Sequence, residues 1–132
     1  MNEHFHAVVW IDHREARVFH FNADEVDEER ILSKGSSRHI HHKANSIGSG
    51  HSPENQHFFH EVVEAIAGAG AVLIGGPANA KHELMKHIER HVPALVTRIA
   101  AVESLDHPSD GALIAHARQF FRAADRMSAQ RS

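Results

Sequence analysis

Apolar and polar positions alternate along this chain in two distinct periods. His6–Ile11 (HAVVWI) is a near-continuous apolar run and predicts a buried central strand. Asp12-His13-Arg14-Glu15 is polar and reads as a turn. Ala16–Phe21 (ARVFHF) alternates and is rich in aromatic and branched residues, so it predicts a second strand paired to the first as a hairpin. The acidic stretch Asn22–Glu25 follows as a surface loop. A third strand falls within Glu28–His42, where Glu29–Ser33 and Ser37–His42 both fit.

The period then changes. Ser52-Pro53-Glu54 is a helix start: a capping residue, a proline at the first helical position and an acidic first turn. Phe58, Phe59, Val62, Val63 and Ile66 form one stripe at helical spacing, down to about Ala67. Gly68 and Gly70 end it. Ala71–Ile74 predicts a short buried strand closed by a tight turn at Gly75-Gly76-Pro77. Asn79 is placed to cap a helix to about His91, with Leu84, Met85 and Ile88 inward, and Pro93 ends it. Leu95–Val102 predicts another strand. Asp106-His107-Pro108 opens a last helix through about Met127, with Leu113, Ala117, Phe120, Phe121 and Ala124 on one face. Ser128–Ser132 reads as a frayed tail. The order β-β-β-α-β-α-β-α predicts a single three-layer α/β/α domain over residues 1–132, with a mixed sheet of about five strands.

Composition narrows the chemistry. The chain has 132 residues and no cysteine, which excludes disulfides, thiolate metal sites and a cysteine nucleophile. No apolar run approaches the ~20 residues of a membrane span. No basic n-region followed by an apolar h-region opens the chain, so the expected location is cytoplasmic, away from membranes. The net charge of −3 argues against a bulk nucleic-acid binder, but the charges are segregated. Asp24–Arg30 holds Asp24, Glu25, Asp27, Glu28 and Glu29. Lys34–Pro53 holds Lys34, Arg38, Lys43, His39, His41, His42 and His51, three glycines and no acid.

That basic stretch, at residues 34–52, predicts a flexible loop that binds an anion. Lys34, Arg38 and Lys43 would neutralise RNA phosphates, and His39, His41, His42 and His51 would add hydrogen bonds or partial charge. Gly48 and Gly50 would allow close backbone approach, and the Pro53 helix offers free N–H groups at its start.

Other candidates are weaker. The pairs His39/His41, His57/His60 and His87/His91 each offer two imidazoles at ligand spacing, but no HExxH-type carboxylate accompanies them, and 15 histidines produce such spacings by chance. Asp12, at the end of the first strand, would need partners such as Glu61 or Glu64 to hold a metal pair. Its simpler role is a turn residue bonded to its own backbone. Lys81 reads as a first-turn surface residue. Ser49 and Ser52 lie near histidines but in no G-x-S-x-G elbow. Trp10 and the pairs Phe58-Phe59 and Phe120-Phe121 read as core. No cofactor is implied.

Four segments carry a family resemblance: the hairpin AVVWIDHREARVFHF, the loop Lys34–Ser52 ahead of a long helix, Ile74-Gly-Gly-Pro-Ala-Asn-Ala-Lys81, and Asp106-His-Pro-Ser-Asp-Gly-Ala-Leu113 with the following Ala-Arg-Gln-Phe-Phe. In order and spacing the chain resembles the middle domain of archaeal and eukaryotic class-1 peptide-chain release factors and their relative Pelota, and small bacterial proteins similar to that domain. The resemblance implies the fold and a translation-related ancestry. Release factors hydrolyse peptidyl-tRNA with Gly-Gly-Gln in the corresponding loop. Here that stretch reads Gly48-Ser49-Gly50-His51, and the nearest glutamine, Gln56, is inside the helix. Pelota-type proteins also lack the tripeptide and act on ribosomes without that hydrolysis. The expected function is therefore a translation-associated RNA- or ribosome-binding protein, non-enzymatic. The competing expectations are a hydrolase of peptidyl-tRNA or nucleic acid, and a histidine-rich metal-binding or protein-interaction module.

Overall fold

A computed structural model of the chain describes the backbone of residues 6–33 and 53–131 and the side chains of residues 6–33 and 55–125. Strands β1 (His6–Ile11), β2 (Glu15–Phe21) and β3 (Val26–Leu32) precede helix α1 (Pro53–Ile66), strand β4 (Ala71–Gly76) and helix α2 (Ala80–His91). A 3-10 helix (Pro93–Arg98), strand β5 (Ile99–Ser104) and helix α3 (Asp110–Arg131) follow. The strands form one sheet in the order β3-β2-β1-β4-β5. β1 pairs antiparallel with β2 and parallel with β4, β2 pairs antiparallel with β3, and β4 parallel with β5. This is the mixed five-stranded α/β sheet that the sequence pattern predicts.

Strand alternation sorts the apolar residues into two cores. Ala7, Val9, Ile11, Ala16, Val18, Ile31, Val72 and Ile74 face one way and meet the α1 stripe with Leu84 and Ile88 of α2. Val8, Trp10, Phe19, Phe21 and Leu73 face the other way and meet Leu113, Ala117 and Phe121 of α3. β1 is buried on both faces, as its unbroken apolar run requires.

Both hairpin turns use the same device. Asp12 Oδ1 accepts the backbone N–H groups of Arg14 and Glu15 at 2.8 and 2.9 Å. Asn22 Oδ1 accepts those of Asp24 and Glu25, each at 2.8 Å. A short polar side chain thus replaces a backbone acceptor and tightens each turn.

Five sequence expectations need correction. The third strand spans Val26–Leu32; it takes in most of Glu29–Ser33 and starts within the acidic run, because an edge strand tolerates charge on its open side. The other alternative, Ser37–His42, lies outside the described residues, as does the Ser52 cap. β4 runs through both glycines, which pair with Glu103 and Ser104 instead of turning. A Cβ on Gly76 would stand 2.1 Å from the Ile11 carbonyl oxygen, so the strand continues only because the side chain is missing. Residues 93–98 form a 3-10 helix rather than a strand, with Pro93 in its first turn and Leu95 buried, and β5 is displaced to Ile99–Ser104. The last helix starts at Asp110, where Ser109 Oγ accepts the Ala112 N–H at 3.1 Å; Asp106-His107-Pro108 is its lead-in. At its other end the helix continues to Arg131, into the stretch read as a tail, with no glycine or proline after Gly111 to stop it. Finally, Asn79 occupies the N-cap position of α2 without a side-chain cap bond; its Nδ2 donates to Glu83 Oε2 at 3.2 Å instead.

Candidate functional site

Every residue assigned to RNA or anion binding from the sequence (Lys34, Arg38, His39, His41, His42, Lys43, Gly48, Gly50 and His51) lies outside the described residues. Their point of departure is described. Leu32 pairs with Glu15, and the Ser33 N–H donates to the Arg14 carbonyl at 2.9 Å. Ser33, the last described residue before that stretch, therefore lies beside the Asp12 turn, at the rim formed by the C-terminal ends of β1 and β4. Open α/β sheets place ligands along such a rim, where connections diverge to opposite sides. Here β1 continues leftward into β2, while β4 continues into α2 and on to β5.

The rim carries its own polar groups. Asp12 Oδ1 is held by the two turn N–H groups, and Oδ2 lies 3.9 Å from His107 Nε2. The His107 ring packs on Trp10 with centroids 4.9 Å apart, and Trp10 Nε1 donates to the Asp106 carbonyl at 2.7 Å. That bond fixes the lead-in to α3 against β1. On the opposite side His13 Nε2 lies 3.2 Å from Glu83 Oε1, and Glu83 in turn accepts from Asn79. His116 Nε2 meets Glu103 Oε1 at 2.7 Å next to Gly75. Asp12 acts here as the turn residue. Glu61 and Glu64, its suggested metal partners, line a groove along β3 instead. Among the described residues no group of three or more histidine, aspartate or glutamate side chains is arranged to hold a metal ion.

Three buried polar side chains were not singled out by the sequence in the roles they occupy. Arg17 is 7% exposed on the α3 face. Its guanidinium sits 4.5 Å over the Trp10 ring and donates to Asp110 Oδ1 at 2.6 Å, an acid in the first turn of α3. Arg30 reaches the same carboxylate at 3.5 Å. Strand parity held the signal, since Arg17 shares its face with Phe19 and Phe21. Lys81 is buried, not on the surface; its Nζ donates to the Ala78 carbonyl and closes the turn after Gly76. His87 lies on the buried stripe of α2 with Leu84 and Ile88. Its Nδ1 bonds Gln56 Oε1 of α1 at 2.9 Å, and its Nε2 is buried without a partner among the described residues. Burial pushes its pKa below the ordinary imidazole value, and the neighbouring His91 and His60 push the same way. The His87 and His91 rings lie 4.5 Å apart. The His57/His60 pair is engaged along its own helix, with Glu61 and Glu64 at 3.5 and 3.2 Å. Trp10, Phe58, Phe59 and Phe121 are core, as expected.

Taken together the elements define an α/β domain with a mixed five-stranded sheet packed between helices. No protein-family model matches the chain, and no curated protein matches it by sequence. Among solved structures it is similar to Archaeoglobus fulgidus Pelota, in a crystal structure described as revealing inter-domain structural plasticity, with a TM-score of 0.61 and 13% sequence identity. The match covers 89% of this chain and 32% of that one, so the chain spans about a third of the length of its structural neighbour. The likeness is one of fold. No helix among the described residues is long and apolar enough to cross a membrane.

Proposed function

We propose that this chain is a translation-associated protein of the release-factor middle-domain type that binds RNA on the ribosome without hydrolysing peptidyl-tRNA. The observation that supports it best is the fold shared with Pelota, together with the basic composition of residues 34–52, which follow Ser33 at the Asp12 turn in sequence. Lys34, Arg38 and Lys43 neutralise phosphates, and His39, His41, His42 and His51 add donors that strengthen as pH falls toward 6.5. Gly48 and Gly50 let the backbone approach the RNA. The Gly48-Ser49-Gly50-His51 stretch replaces Gly-Gly-Gln, which is why the reading excludes the release-factor reaction. The protein acts in the cytoplasm, where ribosomes are.

Ribosomal RNA binding measured against salt tests this. Three lysine or arginine contacts give a log–log slope of about −2 on single-stranded RNA. An affinity that does not change with salt would refute phosphate binding. Release of peptide from peptidyl-tRNA by the purified protein would favour the hydrolase instead.

A further inference from the structure

β3 forms one edge of the five-stranded sheet. β3 pairs with β2 on one side only, and among the described residues no strand pairs with the other. An open edge presents a row of backbone donors and acceptors to any extended chain. Two observations distinguish this edge from the opposite one. Val26 (37% exposed) and Leu32 (62% exposed) are the only exposed large hydrophobic side chains among the described residues, and they sit at its two ends. Strand parity places both on the α3 side. On the α1 side a groove of 430 Å³ runs between β3 and α1; Ile31 and Ala65 are apolar lining, Glu29, Glu61 and Glu64 supply three carboxylates, and Arg30 and Leu32 of the other parity border it. β5, the opposite edge, has no exposed large hydrophobic residue.

We propose that β3 receives an extended, lysine- or arginine-bearing segment of a partner protein as a sixth strand of the sheet. Backbone pairing supplies the attachment, and the two faces supply selectivity. An added strand places alternate side chains on opposite faces. Those of one parity lie beside Asp27, Glu29 and the Glu61 and Glu64 carboxylates and must be basic. Those of the other parity flank Val26 and Leu32 at the ends and are apolar there. Between them they meet Glu28 and Arg30, which bridge each other at 3.3 Å and suit small polar residues.

Charge decides between occupants. In an antiparallel pairing of two copies centred on Glu28, Glu28 would face itself and Asp27 would face Glu29, and like charges directly opposite are destabilising. The same acids that suppress self-pairing attract a basic strand. The partner at this edge is a polypeptide, not RNA.

The test uses the full chain and the blocked heptapeptide Leu-Lys-Thr-Lys-Thr-Lys-Leu, whose symmetric pattern fits either strand direction. Titration followed by amide shifts is expected to move residues 26–32 and 57–65, with new exchange protection in β3. Replacing the peptide lysines with glutamate is expected to abolish binding. Glu29→Lys/Glu61→Lys/Glu64→Lys, all at exposed positions or on the groove rim, is expected to weaken binding about tenfold. Val26→Thr/Leu32→Thr is expected to weaken it about threefold. No binding, equal binding of the glutamate peptide, or shifts on another surface would overturn the proposal. So would a chain that refuses the peptide until Lys34, Arg38 and Lys43 are replaced by alanine, because the occupant would then be its own basic segment.

Discussion

β1 and β3 lie two positions apart in one sheet and obey opposite rules. From Ala7 to Ile11 no residue of β1 is more than 1% exposed, whereas β3 buries only Ile31. β1 is built from apolar residues on both faces and meets helices on both. β3 carries three consecutive acids, Asp27, Glu28 and Glu29, on an edge that no strand pairs among the described residues, and it packs against α1 on one face. The first kind of strand fixes the fold and leaves nothing free to act. The second contributes little to the core and carries charge, groove and exposed apolar groups. Both proposed recognition surfaces, β3 and the basic residues that follow it in sequence, fall where the hydrophobic pattern is weakest.

If that contrast is right, substitutions at the centre should act on stability and those at the edge on binding. The largest effect is expected at Phe59→Ala, which empties a fully buried site between α1 and the sheet and costs about 3–5 kcal/mol by chemical denaturation. Gly76→Ala comes next, because its methyl group would collide with the Ile11 carbonyl. A loss of about 3 kcal/mol is expected, and a neutral outcome would mean that β1 and β4 are less tightly apposed.

The Arg17–Asp110 pair gives an asymmetric result. Asp110→Asn strips a buried guanidinium of its carboxylate and is expected to cost about 1–3 kcal/mol. Arg17→Met leaves a half-exposed Asp110 that Arg30 still reaches, so its cost should be smaller. The reverse order would show that Arg17 stabilises through its stacking on Trp10.

His87 predicts a pH dependence. Its folded pKa is lowered, so the unfolded chain takes up the proton more readily than the native one. The stabilisation is fully present above about 6.5 and is lost as pH falls through that value toward the lowered one. Denaturation midpoints should drop between pH 7.5 and 5.5, and His87→Gln should make that drop shallower. His6 is also lowered, mainly by burial against α3 with Asp125 opposing, and keeps part of the dependence in the variant. The smallest effect belongs to the edge: Val26→Thr/Leu32→Thr should change stability by less than about 0.5 kcal/mol.

The sequence made the centre of this molecule readable and left its margins ambiguous. HAVVWI, the α1 stripe and AVLI each bury a face at a single period, and each element appears where its pattern puts it. Errors fell where local signals compete with tertiary ones. Gly75-Gly76-Pro77 has turn chemistry, but the close approach of β1 demands glycine within a strand. Leu95–Thr97 has strand composition, but Pro93 starts a 3-10 turn first. Lys81 looks like a surface residue because burial of an ammonium on a turn carbonyl leaves no trace in periodicity. The acidic character of Asp24–Arg30 was plain; that it forms an open edge beside a groove required the register of β3 on β2. The basic candidates rest on sequence alone.

Ribosome co-sedimentation at low salt tests the central claim most directly, comparing the wild-type chain with Lys34→Ala/Arg38→Ala/Lys43→Ala. The wild-type protein is expected to pellet with ribosomes and to be released by added salt, and the triple variant to stay in the supernatant with its fold intact. A variant that pellets as the wild type does would contradict that claim.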